Sequence, residues 1–160
     1  MIECLILPLV PLLLLTAPAS DDLSADVTLQ QDISYGSDPV QRFDVYLAPH
    51  PQNAPILFMV HGEAWRVGDK KNERVVDSKV GHWVTEGIIF VSVNYRMISE
   101  AEPLVQAEDA ARALAKVQEQ APGWGRDPGN VILMGHSAGA HLVALINAAP
   151  DIATATGTKP

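Results

Sequence analysis

A short apolar run, Val131-Ile132-Leu133-Met134, passes without a break into Gly135-His136-Ser137-Ala138-Gly139, and a helix-forming run, Ala140 to Ala149, follows at once. This is G-x-S-x-G between a strand and a helix, the setting in which such a serine forms a nucleophile elbow. The spacing has a mechanical reason. A serine on so tight a turn takes a strained backbone conformation, and the residues two places either side must lack bulk for strand and helix to approach. Gly135 and Gly139 fill those places. Ser137 Oγ is then expected to stand clear of the backbone at the carboxyl end of the strand. The Ala138 amide and the helix N-terminus point at any negative charge that develops there. The five-residue pattern alone is common; its flanks make it specific.

The segments before the elbow tell what kind of sheet carries it. Ile56 to Val60, Ile88 to Val93 and Val131 to Met134 are apolar on both parities, as in strands covered on both faces. Between them lie two stretches with helical signals. Asn72 to Glu86 places Val75, Val76, Val80, Trp83 and Val84 at helical spacing, and Glu102 to Gln120 opens on Pro103 and carries Leu104, Ala107, Ala111 and Leu114 on one stripe. Alternating strands and helices predict a parallel sheet with right-handed crossovers. Upstream, Val27, Leu29, Ile33 and Tyr35 share one parity, Gly36-Ser37-Asp38-Pro39 reads as a turn, and Phe43, Val45 and Leu47 alternate with Arg42, Asp44 and Tyr46. These two half-exposed strands predict an antiparallel hairpin at a sheet edge.

The first nineteen residues read as a signal peptide, with an apolar run from Leu5 to Leu15 and a small-x-small cleavage pattern at Ala17-Pro18-Ala19. The run is too short for a stable membrane span. Its n-region is atypical, with Glu3 where a basic residue is usual, and the expectation is a secreted or periplasmic protein. Cys4, the only cysteine, falls inside the leader, so disulfide or thiol chemistry is not expected in the mature chain. The net charge of -8, with no basic cluster, argues against nucleic acid as a partner. No cofactor is expected, since no His, Asp or Cys cluster has metal-ligand spacing.

His61-Gly62-Glu63-Ala64-Trp65-Arg66-Val67-Gly68-Asp69-Lys70 follows the third strand directly. With Val93-Asn94-Tyr95-Arg96, Trp124-Gly125-Arg126-Asp127-Pro128 and the serine turn, it resembles the α/β-hydrolase fold. Within that fold it resembles the esterase branch with an H-G-G-x-W loop: carboxylesterases of the hormone-sensitive-lipase type, kynurenine formamidase, and feruloyl or acetylxylan esterases. The resemblance covers about Asp32 to Ala149. It implies Ser137 as nucleophile, and an oxyanion hole made by loop amides after His61, those of Glu63 and Ala64, together with the amide of Ala138. It also implies a small-molecule ester or an acylated carbohydrate as substrate.

The pairing is sound chemistry in its own right. Acyl transfer needs a nucleophile, N–H donors where charge develops, and a base for the serine proton. A glycine loop after a neighbouring parallel strand reaches the same sheet end as Ser137. Trp65 and His136 are candidate pocket residues, with an anchoring role for Trp65 equally open. His61 and His136 are poor general-base candidates, and His141 suits a packing or surface role. Two departures from the family stand out. Glu63 occupies a loop position where the family has glycine, at a backbone expected to need positive φ. In addition, the family's order of serine, acid, histidine is not met, because His141 precedes Asp151.

The sequence therefore predicts an α/β-hydrolase-type, mostly parallel sheet with an N-terminal antiparallel hairpin and helices on both faces, lacking the C-terminal strands. The organisation expected is a leader over 1–19, a lead-in over 20–31, a partial hydrolase domain over 32–150 and an unstructured tail over 151–160. The function expected is serine-dependent hydrolysis of carboxylic esters in a chain whose triad acid and base are missing. The alternative is a non-catalytic remnant or binding module of the same fold. The strand Val131–Met134 is expected to have a neighbour on one side only, which invites self-association through that edge.

Overall fold

The computed structural model describes residues 27–48 and 54–159. Residues 1–19, expected to be a leader, lie outside them. Five strands form one sheet: β1 (Thr28–Ser34), β2 (Arg42–Leu47), β3 (Ile56–Val60), β4 (Ile89–Val93) and β5 (Val131–Gly135), in the spatial order β1-β2-β4-β3-β5. β1 pairs antiparallel with β2, and β2 with β4, while β3 runs parallel to both β4 and β5. The helices are α1 (Glu73–Lys79), α2 (Pro103–Gln120), α3 (Ala138–Ala148) and α4 (Pro150–Ala155).

β3 and β4 are buried along their whole lengths, because both faces of the sheet are covered. On one face, Phe58, Val91 and Val93 pack with Ala107, Ala111, Leu114 and Leu142 from α2 and α3. On the other, Leu57, Met59 and Phe90 pack with Val76 and Val84. Those two residues come from the Asn72–Glu86 stretch. It folds as α1 followed by a π-helical turn over Val80–Val84, and its expected apolar set is buried or half-buried against the sheet.

Three expectations from patterning are corrected. The alternating parity of β1 breaks at a bulge between Gln30 and Ile33, where Asp32 has φ 55°, and Leu29 is exposed. A bulge puts one extra residue in the strand and reverses the facing of those beyond it. Asp44 of β2 is fully buried rather than half-exposed, because Lys70 Nζ meets its carboxylate at 2.7 Å. Leu104 is 60% exposed, and the buried stripe of α2 starts with Gln106 and Ala107.

The tail expected to be unstructured is ordered. Pro150 sits in the first turn of α4, a place that suits its fixed φ and missing N–H. Beyond α4, Thr158 Oγ1 donates to Ala111 O at 3.0 Å, and the Lys159 amide donates to Gln118 Oε1 at 2.8 Å. The segment is thereby fastened along α2. Between it and β5 lies a cavity of about 500 Å³ lined by Leu114, Val131, Leu133, Ile146 and Ala153, among others. Among the described residues β5 is the last strand of the sheet, and Ile132 is 48% exposed.

Candidate active site

The register of β3 on β5 sets the site. Val60 lies opposite Gly135, and the His136 amide donates to Val60 O at 3.1 Å. The loop after β3 and the turn after β5 therefore leave the sheet at the same level. Ser137 has φ 52° and ψ -116°, a conformation that L-residues rarely hold, between the end of β5 and the first residue of α3. Its neighbours explain how it persists. A Cβ on Gly135 would lie 2.5 Å from the Ala140 nitrogen, and one on Gly139 would lie 2.1 Å from the Val60 carbonyl oxygen. Only glycine permits either approach. Ser137 is exposed, and no hydrogen bond holds its side chain among the described residues.

The facing loop is strained as well. Glu63, Ala64 and Trp65 have φ of 78°, 57° and 60°, three successive non-glycine residues in the left-handed region. That conformation disfavours L-residues by about 1–2 kcal/mol each. The loop comes close to the serine: a Cβ on Gly62 would be 3.0 Å from Ser137 Cβ and 3.0 Å from His136 Nδ1. The amides of Glu63, Ala64 and Ala138 give no hydrogen bond among the described residues, so all three are donors without an acceptor. The Glu63 side chain is exposed, and its carboxylate accepts from Asn72 Nδ2 at 2.7 Å, at the start of α1. The carboxylate is thus held by α1 rather than by the serine turn.

Buried polar groups hold this loop, and patterning missed them. Tyr95 Oη donates to His61 O at 2.9 Å. Trp65 O accepts from both the Ile98 amide at 2.9 Å and Gln106 Nε2 at 3.1 Å. Lys70, nearly fully buried, places Nζ 2.8 Å from Asp32 and 2.7 Å from Asp44, and its carbonyl accepts from Ser92 Oγ at 2.8 Å. Burial pulls the Lys70 pKa down, but its hydrogen bonds to the two carboxylates outweigh this and the net shift is upward. Behind the loop, Asp109 takes a two-pronged contact from Arg96, at 2.8 and 2.7 Å, and a bond from Gln41 Nε2 at 2.8 Å. Each partner is distant in sequence, so neither propensity nor alternation could expose these groups.

The remaining candidates are placed as follows. Trp65 is half-buried against the main core, and its ring meets that of His141 edge-on with centroids 5.5 Å apart. His136 is exposed beside Gly62. His61 is 2% exposed and stacks on Tyr95 at 4.6 Å, with Nδ1 3.2 Å from Gly62 O and Nε2 buried without a partner. Burial pushes its pKa below the usual histidine value; the Gly62 carbonyl and nearby carboxylates oppose this and lose. Among the described residues, none of these imidazoles is hydrogen-bonded to Ser137.

The mixed sheet, the crossing helices and the strand–turn–helix serine site place the chain in the α/β-hydrolase esterase class. More narrowly, it belongs to the BD-FAE family, whose model matches residues 43–155. Among curated proteins, it is 30% identical over 115 residues to "Probable isoprenylcysteine alpha-carbonyl methylesterase ICME" of Oryza sativa subsp. japonica, covering 71% of this chain and 27% of that protein. It is 33% identical over 118 residues to Esterase LipQ of Mycobacterium tuberculosis, covering 71% of this chain and 28% of that protein. Among solved structures, Esterase B of Lactobacillus rhamnosis superposes with a TM-score of 0.68 at 25% identity, over 84% of this chain and 44% of that one. The chain thus spans only about a quarter of the length of these curated relatives. No helix among the described residues is long and apolar enough to cross a membrane.

Proposed function

We propose that this domain hydrolyses carboxylic esters of small molecules by acyl transfer to Ser137. The supporting relatives are esterases, and the observation that carries the proposal is the backbone of Ser137. Its φ of 52° is sustained by two glycines that admit no Cβ, beside a loop that offers amides without acceptors. Strain of this kind persists only where its surroundings enforce it. The residues take these roles: Ser137 Oγ attacks the carbonyl carbon, and the amides of Ala138, Glu63 and Ala64 stabilise the oxyanion. Trp65 and His136 border the acyl or alcohol portion. Export from the cell belongs to the same proposal and rests on the leader's composition.

Proton removal is the weak element of the 160-residue chain, since no described imidazole bonds to Ser137. Without a base, oxyanion and binding terms alone remain, about four or more orders of magnitude below a complete triad. Hydrolysis of p-nitrophenyl acetate by the leader-free chain and by Ser137→Ala is the test. The expected result is trace hydrolysis that depends on Ser137. Rates identical in the two proteins would favour the second reading, a non-catalytic binding module, which the unpartnered serine hydroxyl also suits. Robust turnover lost in Ser137→Ala would assign a base among His61, His82 and His141.

A further inference from the structure

The loop that follows β3 holds three successive L-residues at positive φ, and something must hold them there. Hydrogen bonds within the loop are few: the Arg66 and Val67 amides reach Glu63 O at 3.3 and 3.4 Å, long for such bonds. The hydrogen bonds from outside the loop to the backbone of the three strained residues both go to one atom, the carbonyl oxygen of Trp65, the last of them. It accepts from the Ile98 amide and from Gln106 Nε2. Gln106 is fully buried on α2, and the same Nε2 also donates to Ala101 O at 3.0 Å. Its Oε1 is buried with no partner. An amide buried at the expense of an unsatisfied acceptor is unfavourable by itself, so a hydrocarbon of the same size would suit the core better. What the hydrocarbon could not supply is the two-pronged donor that joins the strained turn to the segment leading into α2.

We propose that Gln106 is a positioning residue for the oxyanion loop: its Nε2 clamps Trp65 O to Ala101 O and so keeps the Glu63 and Ala64 amides turned toward Ser137. The proposal rests on the ester-hydrolase reading of the site for its purpose, but the clamp is measurable without turnover. Gln106 does not touch the reacting atoms. It acts through the Trp65 carbonyl, and Ile98 shares the load.

The test compares the leader-free chain with Gln106→Leu and, should that variant fold poorly, with Gln106→Met, whose unbranched chain refills the same space. Amide hydrogen exchange is the first readout. Exchange at Arg66, Val67 and Ile98 is expected to rise at least about tenfold, while Phe58 and Val91 in the sheet stay within about twofold, since local opening need not engage the global unfolding unit. Unchanged exchange at the three amides, or a uniform rise that includes the sheet, would overturn the proposal. The second readout is the rate at which p-nitrophenyl acetate acetylates Ser137, whose value at saturation is expected to fall while the half-saturating concentration stays unchanged, as for an interaction expressed in the transition state. A wild-type chain with no Ser137-dependent hydrolysis would refute the ester-hydrolase reading, and the exchange pattern would still decide the clamp.

Discussion

The imidazole of His61 lies flat on the ring of Tyr95, centroids 4.6 Å apart and planes 20° from parallel, while the phenol of Tyr95 donates to the carbonyl of the same histidine. One residue thus fixes both the side chain and the backbone at the base of the loop that follows β3. Gly68 closes the other side, where a Cβ would come within 2.4 Å of His61 Nδ1. The ring is sealed in, and this has a pH consequence.

Burial holds the His61 pKa below the ordinary histidine value, so its neutral form is favoured in the folded chain relative to the unfolded one. The unfolded chain binds this proton more readily than the folded one, so stability rises with pH through this region. Its contribution is complete above about pH 6.5 and declines as the pH falls below that value. Melting temperatures of wild type and His61→Gln from pH 7.5 to 5 should show a decline in the wild type that is shallower in the variant. Parallel curves would mean that the ring already accepts its proton in the folded state.

The two elbow glycines should tolerate no side chain. Gly139→Ala sets a methyl against the Val60 carbonyl, a backbone atom that cannot rotate away. The expected loss is about 3 kcal/mol in urea unfolding, at the upper end for overpacking. Gly123→Ala is the control, because a Cβ there meets nothing within 4 Å. Equal stabilities for the two variants would show that β5 and α3 can separate without penalty.

Glu63 already holds the backbone conformation that glycine would adopt, so Glu63→Gly should act on stability. Relief at φ 78° is expected to stabilise by about 1 kcal/mol, with part of the gain offset by glycine's freer unfolded chain. The lost contact with Asn72 is exposed and contributes little. Chemical denaturation measures the difference, and a destabilised variant would mean that the bond to Asn72 outweighs the strain.

β5 ends the sheet with Ile132 facing solvent and with no charge or proline in the strand. Such an edge pairs readily with another, and the leader-free chain is predicted to self-associate through it. The tail does not prevent this, since its hydrogen bonds go to α2. Light scattering after size exclusion should show larger species for wild type, with monomer restored in Ile132→Lys, where the exposed position accepts a charge. A wild-type monomer at all concentrations would show the edge to be protected.

These elements differ in how plainly the sequence announces them. The doubly covered strands are legible because burial on both faces leaves only apolar residues, as in Ile56–Val60 and Ile89–Val93. The elbow is legible because Gly135 and Gly139 answer a local steric demand. Asp44, Lys70, Gln106 and Asp109 were not, since a buried polar residue is justified only by its partner, which here lies far along the chain. Asp32 was hidden by its bulge, which shifts parity without changing composition. The helix at Pro150–Ala155 is too short to display an apolar stripe; Ile152 and Ala153 pack against the core, and the bonds that Thr158 and Lys159 make to α2 fasten the segment beyond it.

The account turns on Ser137 Oγ as the atom that takes the acyl group. Incubating the leader-free chain with p-nitrophenyl acetate, followed by intact mass and peptide mapping, examines this directly. The predicted result is one slowly formed acetyl adduct on the peptide containing Ser137, absent from Ser137→Ala and not followed by sustained turnover. Acetylation confined to lysines, with Ser137 unmodified after prolonged exposure, would contradict it.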